Sequence, residues 1–271
     1  MKRIHSLVIA LLATAATLIV PFGAQAADDL NRRVQQATWV LQDLQKIPEQ
    51  AIPPNLLNSA YAVAVLPNVL KGGFIVGGSY GKGVLLVRQA DGAWSNPSFI
   101  KLANVGIGWQ AGAQGADLVL VFKTRRGVDN IARGKFTLGG SASASAGPVG
   151  RTALAMTDGE FKAEIYTYAR SRGLFAGVSL DGGAITIDQV ANASWYAGAQ
   201  DTTANTIFTD RSLAAPAAGQ ELVAMLGTMA PQVNWKDAAL ASQPAPAAPA
   251  ETGSKTYAIE DGAQPAPETK F

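Results

Sequence analysis

The segment FKAEIYTY, Phe161 to Tyr168, alternates between two kinds of side chain, and this alternation with a period of two is typical of a β-strand. Further short runs of strand character surround it, at 62–66, 84–88, 105–113, 117–123, 136–146, 174–180 and 184–187. Asp91-Gly92 between two of them is a hairpin-turn sequence. Strands this short and this regularly spaced predict an antiparallel sheet that curls into a sandwich or a barrel.

An amphipathic helix is predicted over residues 28–47, before the first strand. Its apolar positions recur every three or four residues, at Leu30, Val34, Ala37, Leu41 and Leu44. Either this stripe packs on the core of the domain, or the helix lies on a membrane surface with Trp39 and Leu41 inserted. Shorter helices are predicted at 54–60, 128–132 and 219–226. The fold class is therefore α+β, with a curved antiparallel sheet, an N-terminal amphipathic helix and short capping helices.

Composition excludes much of the common enzyme chemistry. Among 271 residues there is no cysteine and one histidine, His5, which lies in a segment that we predict to be removed. Thiolate nucleophiles, Ser-His-Asp triads and cysteine or histidine metal sites are then absent from the mature chain. We predict a protein that is not an enzyme, with no catalytic residues, no metal and no cofactor.

The two ends of the chain have compositions typical of segments outside a folded domain. Lys2 and Arg3, the apolar run 7–20 and Ala24-Gln25-Ala26 together predict a signal peptide over residues 1–26, and hence a periplasmic or secreted protein. An uncleaved anchor helix is the alternative. Residues 237–271 are rich in proline and alanine, which predicts a disordered tail after a domain at 27–236. The mature chain is nearly neutral, so we predict no nucleic-acid partner.

Arginines lie beside glycine-rich turns in two places, 147–151 and 168–177. Guanidinium groups next to exposed backbone N–H groups suit a phosphate or a carboxylate. The alternative is that Arg151, Arg170 and Arg172 hold the loops to nearby carbonyls or carboxylates. A further basic stretch at 123–135 is expected to be solvated surface.

Several of these motifs, in the same order, resemble the SYLF domain over roughly residues 50–200. The matching segments are Gly81-Lys82-Gly83, Arg88, Gly108-Trp109-Gln110, Gly147-Pro148-Val149-Gly150-Arg151 and the run from Tyr168 to Leu180. That family includes yeast actin-patch proteins that bind actin regulators, lipid-binding eukaryotic proteins and secreted bacterial members. Ser141 and Gly106 depart from the family pattern, which more commonly has Asp and Ser at these positions.

The resemblance implies a non-enzymatic module that binds membrane lipid through a basic surface and an N-terminal amphipathic helix. With the predicted signal peptide, the expected partner is an anionic lipid or glycolipid surface in the periplasm, and actin binding is not expected in that compartment. The alternative is an envelope structural or protein-interaction module with a protein partner. The predicted headgroup contacts are Arg151, Arg170, Arg172, Lys82 and Arg88, and the predicted insertion residues are Trp39 and Leu41.

Overall fold

The computed structural model describes residues 22–46, 51–73, 76–107, 112–134, 136–149, 162–171, 183–196 and 202–231. Several predicted features lie outside these ranges. They are the signal peptide up to residue 21, the strand at 174–180, the tail from 237 and two of the predicted headgroup residues, Arg151 and Arg172.

The described elements are helices and strands in a mixed order. The helices are α1 Phe22–Gln45, α2 Pro54–Asn58, α3 Arg125–Ala132, α4 Gln189–Trp195, α5 Ala204–Thr209 and α6 Ala217–Met229. The strands are β1 Ala62–Gly73, β2 Val76–Val87, β3 Ser98–Ile107, β4 Gly112–Phe122, β5 Phe136–Thr137, β6 Ala144–Ala146, β7 Ile165–Ser171 and β8 Ala184–Ile187.

The strands form one sheet, and its two edges are joined by a very short stretch of chain. The order is β5-β8-β3-β2-β1-β4-β7-β6, antiparallel except between β6 and β7. The edge strand β5 ends at Thr137, and the other edge strand, β6, begins at Ala144. Seven residues of extended chain span about 25 Å at most. Eight strands laid flat would separate the edges by roughly 34 Å. The sheet must therefore curl, which confirms the predicted curved core.

Glycines, which are typical of turns, lie inside the two central strands. The glycine-rich stretch 72–83 belongs largely to β1 and β2, which pair with each other around an irregularity between Val65 and Leu70. A Cβ atom on Gly83 would lie 2.1 Å from the carbonyl oxygen of Val65, so this glycine permits close approach of β1.

Two predicted strands are each divided in the structure. The predicted strand 105–113 covers the end of β3 and the start of β4. The predicted strand 136–146 becomes β5 and β6, which lie at opposite edges of the sheet because a turn at 138–142 separates them.

Helix α1 is docked on the sheet and on the other helices. It begins six residues earlier than predicted and runs through the predicted cleavage site. The apolar stripe Leu30, Val34, Ala37, Leu41 and Leu44 is buried, so packing on the core is the alternative that the structure shows. Leu41 is 0% exposed. This corrects its predicted role in membrane insertion, because a fully buried side chain cannot enter a bilayer while the helix stays docked.

Candidate functional site

Arg88, predicted to contact a headgroup, is inside the protein. It is 1% exposed, and its guanidinium lies 4.2 Å from the ring centre of Trp94. The guanidinium donates hydrogen bonds of 3.0 to 3.3 Å to four backbone carbonyls, those of Leu57, Ala60, Gly92 and Ala230. Burial lowers the pKa of Arg88 to about 10. This corrects its predicted surface position: the side chain joins separate segments of the fold.

Arg170 joins α1 to the sheet. It lies on β7 beside Asp117 of β4, and its guanidinium forms an ion pair with Asp43 of α1. Of the three predicted loop arginines, Arg170 is the one that lies within the described residues, and it is already paired with a carboxylate.

The first half of the segment 147–151 forms a docking position for a tyrosine. The hydroxyl of Tyr168 donates a hydrogen bond of 3.1 Å to the carbonyl of Pro148. A Cβ atom on Gly147 would lie 2.2 Å from the ring of Tyr168, so only glycine fits beneath it. Burial raises the pKa of Tyr168. These contacts give Gly147 and Pro148 a structural role.

Exposed apolar and basic side chains occur together on the outer side of the sheet. Leu70 of β1 is the cross-strand partner of Tyr80 of β2, and they are 63% and 47% exposed. Two residues further along β2, Lys82 is exposed and is the cross-strand partner of Lys101 of β3. Cross-strand partners and residues two apart share one face of a sheet, so these four side chains form one surface.

Trp39 of α1 is a further exposed aromatic side chain, and it lies near the irregular part of β1. It is 63% exposed and, with Pro67 and Asn68, lines a cavity of about 250 Å³ between α1 and β1. Asn68 lies in the irregular part of β1, has a φ of 51° and donates its backbone N–H to Asp117. We call Trp39, Leu70, Tyr80, Lys82 and Lys101 the aromatic–basic face.

The charges around this face are of both signs. Lys101 lies 3.0 Å from Asp188, whose carboxylate also accepts a hydrogen bond from the N-terminus of α4. Arg33 of α1 stacks on Phe99 at 5.5 Å. Burial lowers the pKa of Arg33, and Asp188 and Tyr80 oppose this less strongly. The basic groups of this region are therefore those of Arg33, Lys82 and Lys101, and Asp29 also acts on Arg33. Asp43 and Asp117 line the cavity beside Trp39.

The basic stretch at 123–135 is not a single patch. Lys123 is buried and donates a hydrogen bond of 2.9 Å to Ser59, which differs from the expected solvated position. Arg125 and Arg126 are exposed and pair with Asp129 and Glu164.

The described residues show neither a metal centre nor a membrane-spanning helix. Among them, no group of three or more histidine, cysteine, aspartate or glutamate side chains is placed to hold a metal. The helices in the same ranges are all too short or too polar to cross a membrane. Asp117, Glu164 and Asp188 all bind backbone or side-chain groups of the fold.

Leu70, Tyr80 and Lys101 are functional candidates that the sequence did not reveal. The alternation Tyr80-Gly81-Lys82 is the signal that could have found Tyr80, but the surrounding glycines suggested a turn. Lys82 and Trp39 were predicted, and both are exposed in the structure.

The described residues thus form a curled sheet with a docked N-terminal helix and an exposed aromatic–basic face. Comparison with known proteins identifies the family. Residues 103–229 match the family described as "Ysc84: Las17-binding protein actin regulator". The chain carries a domain of this family, which is the Ysc84 or SYLF family. The family is described as a binding protein and regulator.

The similar proteins are eukaryotic and longer. "LAS seventeen-binding protein 3" of Saccharomyces cerevisiae is 39% identical over 172 residues, which cover 62% of this chain and 37% of that protein. "SH3 domain-containing YSC84-like protein 1" of Bos taurus is 34% identical over 205 residues, 73% of this chain and 59% of that protein. An SH3 domain-containing protein of Schizosaccharomyces pombe is 36% identical over 192 residues, 70% and 44% of the two chains. The chain thus spans about half the length of these relatives.

Proposed function

We propose that the protein is a non-enzymatic module of the cell envelope that binds an anionic lipid or glycolipid surface through the aromatic–basic face. The observation that carries this proposal is the pairing of exposed Leu70 and Tyr80 next to Lys82 and Lys101. Apolar and aromatic side chains suit the boundary between headgroups and acyl chains, and lysines attract the anionic headgroups. The predicted signal peptide supports a periplasmic or secreted location.

Helix α1 supplies Trp39 to this surface without leaving the core. Its buried stripe faces the sheet, and Trp39 lies on its exposed side. Shallow contact with a bilayer then needs no unfolding of the helix. This proposal differs from the sequence-based one, in which the buried Leu41 also inserts.

Co-sedimentation of the purified protein with anionic and with zwitterionic vesicles tests the proposal. We expect binding to anionic vesicles only, and weaker binding at high salt because salt screens the lysine charges. Each basic residue near an anionic surface contributes about 1 kcal/mol. The variant Lys82→Gln/Lys101→Gln should therefore bind roughly tenfold to thirtyfold more weakly.

The apolar half of the face has its own matched pair of variants. Leu70→Ser should weaken vesicle binding, because the transfer of a leucine side chain from water into an apolar phase is favourable by about 1.5–3 kcal/mol. Val190→Ser, at an exposed position of α4 outside the face, should leave binding unchanged. Equal binding by wild type and by both the lysine and the Leu70 variants would refute the assignment of the face.

A protein partner is the second candidate function. In support, the family is described as Las17-binding, and the yeast relative is a LAS seventeen-binding protein. If the protein binds no vesicle at any salt concentration but retains an envelope protein in a pull-down that Leu70→Ser abolishes, the same face serves a protein partner.

A further inference from the structure

A second cavity lies at the opposite ends of the same strands. It has a volume of about 610 Å³ and lies between Tyr61 before β1, the turn after β2, α3 and α5. Leu70 is nine residues from Tyr61, roughly 30 Å along a strand. The cavity is therefore separate from the aromatic–basic face, and the proposed function does not use it. Its volume is within the range of about 300–1,000 Å³ that is typical of small-molecule sites.

The inner wall of this cavity is apolar. Val87, Val128 and Phe208 line it, and all three are buried parts of the core. Tyr61, which is half-buried, adds an aromatic ring at the start of β1. Such a wall suits a hydrocarbon chain, because apolar ligand surface removed from water drives binding.

The rim of the cavity carries two arginines and two aspartates whose charges balance, namely Arg125, Arg211, Asp91 and Asp129. Arg88 also lines the cavity, but it is buried and its guanidinium is bound to four carbonyls. Arg125 lies 3.5 Å from Asp129, and Arg211 pairs with Asp91 and donates a hydrogen bond of 3.1 Å to Gln89. Both pairs are at the surface, where ion pairs contribute little to stability. An anionic ligand can therefore replace an aspartate as the partner of either arginine.

We propose that this cavity binds a small aliphatic carboxylate, such as a medium-chain fatty acid. Its hydrocarbon chain lies against Val87, Val128 and Phe208, and its carboxylate meets Arg125 and Arg211 at the rim. A planar guanidinium matches the two oxygens of a carboxylate.

Isothermal titration of the purified protein with decanoate, below its micelle concentration, tests this proposal. We expect one saturable site, with affinity rising roughly fourfold for each methylene from hexanoate to decanoate. Decanol should bind at least tenfold more weakly than decanoate, and decyltrimethylammonium should not bind. The variant Leu70→Ser should bind decanoate like wild type, which separates this site from the vesicle-binding face.

Variants place the ligand in the cavity. Arg125→Gln/Arg211→Gln should lose at least tenfold in decanoate affinity. The matched control Arg32→Gln/Arg126→Gln also removes two exposed ion pairs, with Asp29 and Glu164, and should bind normally. Asn205→Phe adds a ring at an exposed lining position and should abolish binding. No saturable binding by wild type, equal loss in both double variants, or unchanged binding by Asn205→Phe would each overturn the proposal.

Discussion

Arg88 shows how much one side chain can do for this fold. Its guanidinium binds carbonyls of α2, of the segment before β1, of the turn after β2 and of the end of α6. Arg88→Met keeps the apolar stem but leaves these buried carbonyls without their donor. We expect the free energy of unfolding to fall by about 3–4 kcal/mol, measured by urea denaturation.

The control for Arg88 is Lys82→Met on β2, the strand that ends one residue before Arg88. Lys82 is exposed, and surface substitutions usually change stability by about 0.5 kcal/mol or less. A loss below about 1 kcal/mol for Arg88→Met would show that the four carbonyl contacts do not hold these segments together.

Gly147 gives a second prediction at the scale of one residue. The ring of Tyr168 occupies the place of a Cβ atom there, so Gly147→Ala must displace either the ring or the Gly-Pro segment. We expect a loss of about 1–3 kcal/mol in thermal or urea unfolding. Gly115→Ala in β4 meets no atom within 4 Å and should change stability far less. Equal effects of the two substitutions would contradict this packing.

At the scale of elements, α1 is held by side-chain contacts at two positions, one near its middle and one near its C-terminal end. Asn31 accepts a hydrogen bond of 2.8 Å from the indole of Trp195, and Asp43 pairs with Arg170. Arg170→Ala should increase hydrogen exchange in residues 36–45 and leave residues 28–35 protected, with a global loss of about 1 kcal/mol or less. Asn31→Ala should give the opposite distribution. Uniform exchange along α1 in both variants would mean that the buried stripe alone holds the helix.

The predictability of the elements depends on how local their signals are. The stripe at 28–47 identified α1 because its spacing lies within one segment. The apolar runs at 62–66 and 84–88 identified parts of β1 and β2, but the glycines between them concealed the rest. Gly81 and Gly83 permit the close approach of β1 to β2, and a contact between strands is not visible in either segment alone.

For the candidate site, too, residues with a local signal could be predicted and residues defined by distant contacts could not. Lys82 and Trp39 lie at positions that the local sequence pattern places at the surface. Arg88 and Leu41 could not be placed from the sequence. A charged residue beside a turn gives no sign that carbonyls from four segments converge on it. Leu70 became a candidate only through its pairing with Tyr80.

At the scale of the whole molecule, curvature was predictable and strand order was not. Glycine-rich alternating strands favour a strongly curled sheet. The neighbours of β8, however, are β3 and β5, and those of β4 are β1 and β7. These pairings join segments that are far apart in the chain, so only the folded structure reveals that residues 138–143 link the two edges.

Two buried tyrosines make the stability of the whole protein sensitive to alkali. Tyr168 lies on β7, and Tyr196 donates a hydrogen bond of 2.7 Å to Pro97 before β3. Burial raises the pKa of both phenols. In the unfolded chain a tyrosine ionises near pH 10. Above that pH the unfolded chain releases protons that the folded chain keeps, so the free energy of unfolding falls as pH rises; below it, these groups have no effect.

Urea unfolding of wild type, Tyr196→Phe and Tyr80→Phe between pH 8 and 11.5 tests this expectation. Tyr196→Phe should cost about 1 kcal/mol at pH 8 through its lost hydrogen bond, and its stability should fall less steeply above pH 10. Tyr80→Phe, at an exposed position, should follow the wild-type slope. Arg88, whose lowered pKa acts in the opposite direction, is the same in all three proteins, so it cancels in the comparison. Identical slopes for wild type and Tyr196→Phe would mean that the Tyr196 phenol ionises as readily in the folded protein as in the unfolded chain.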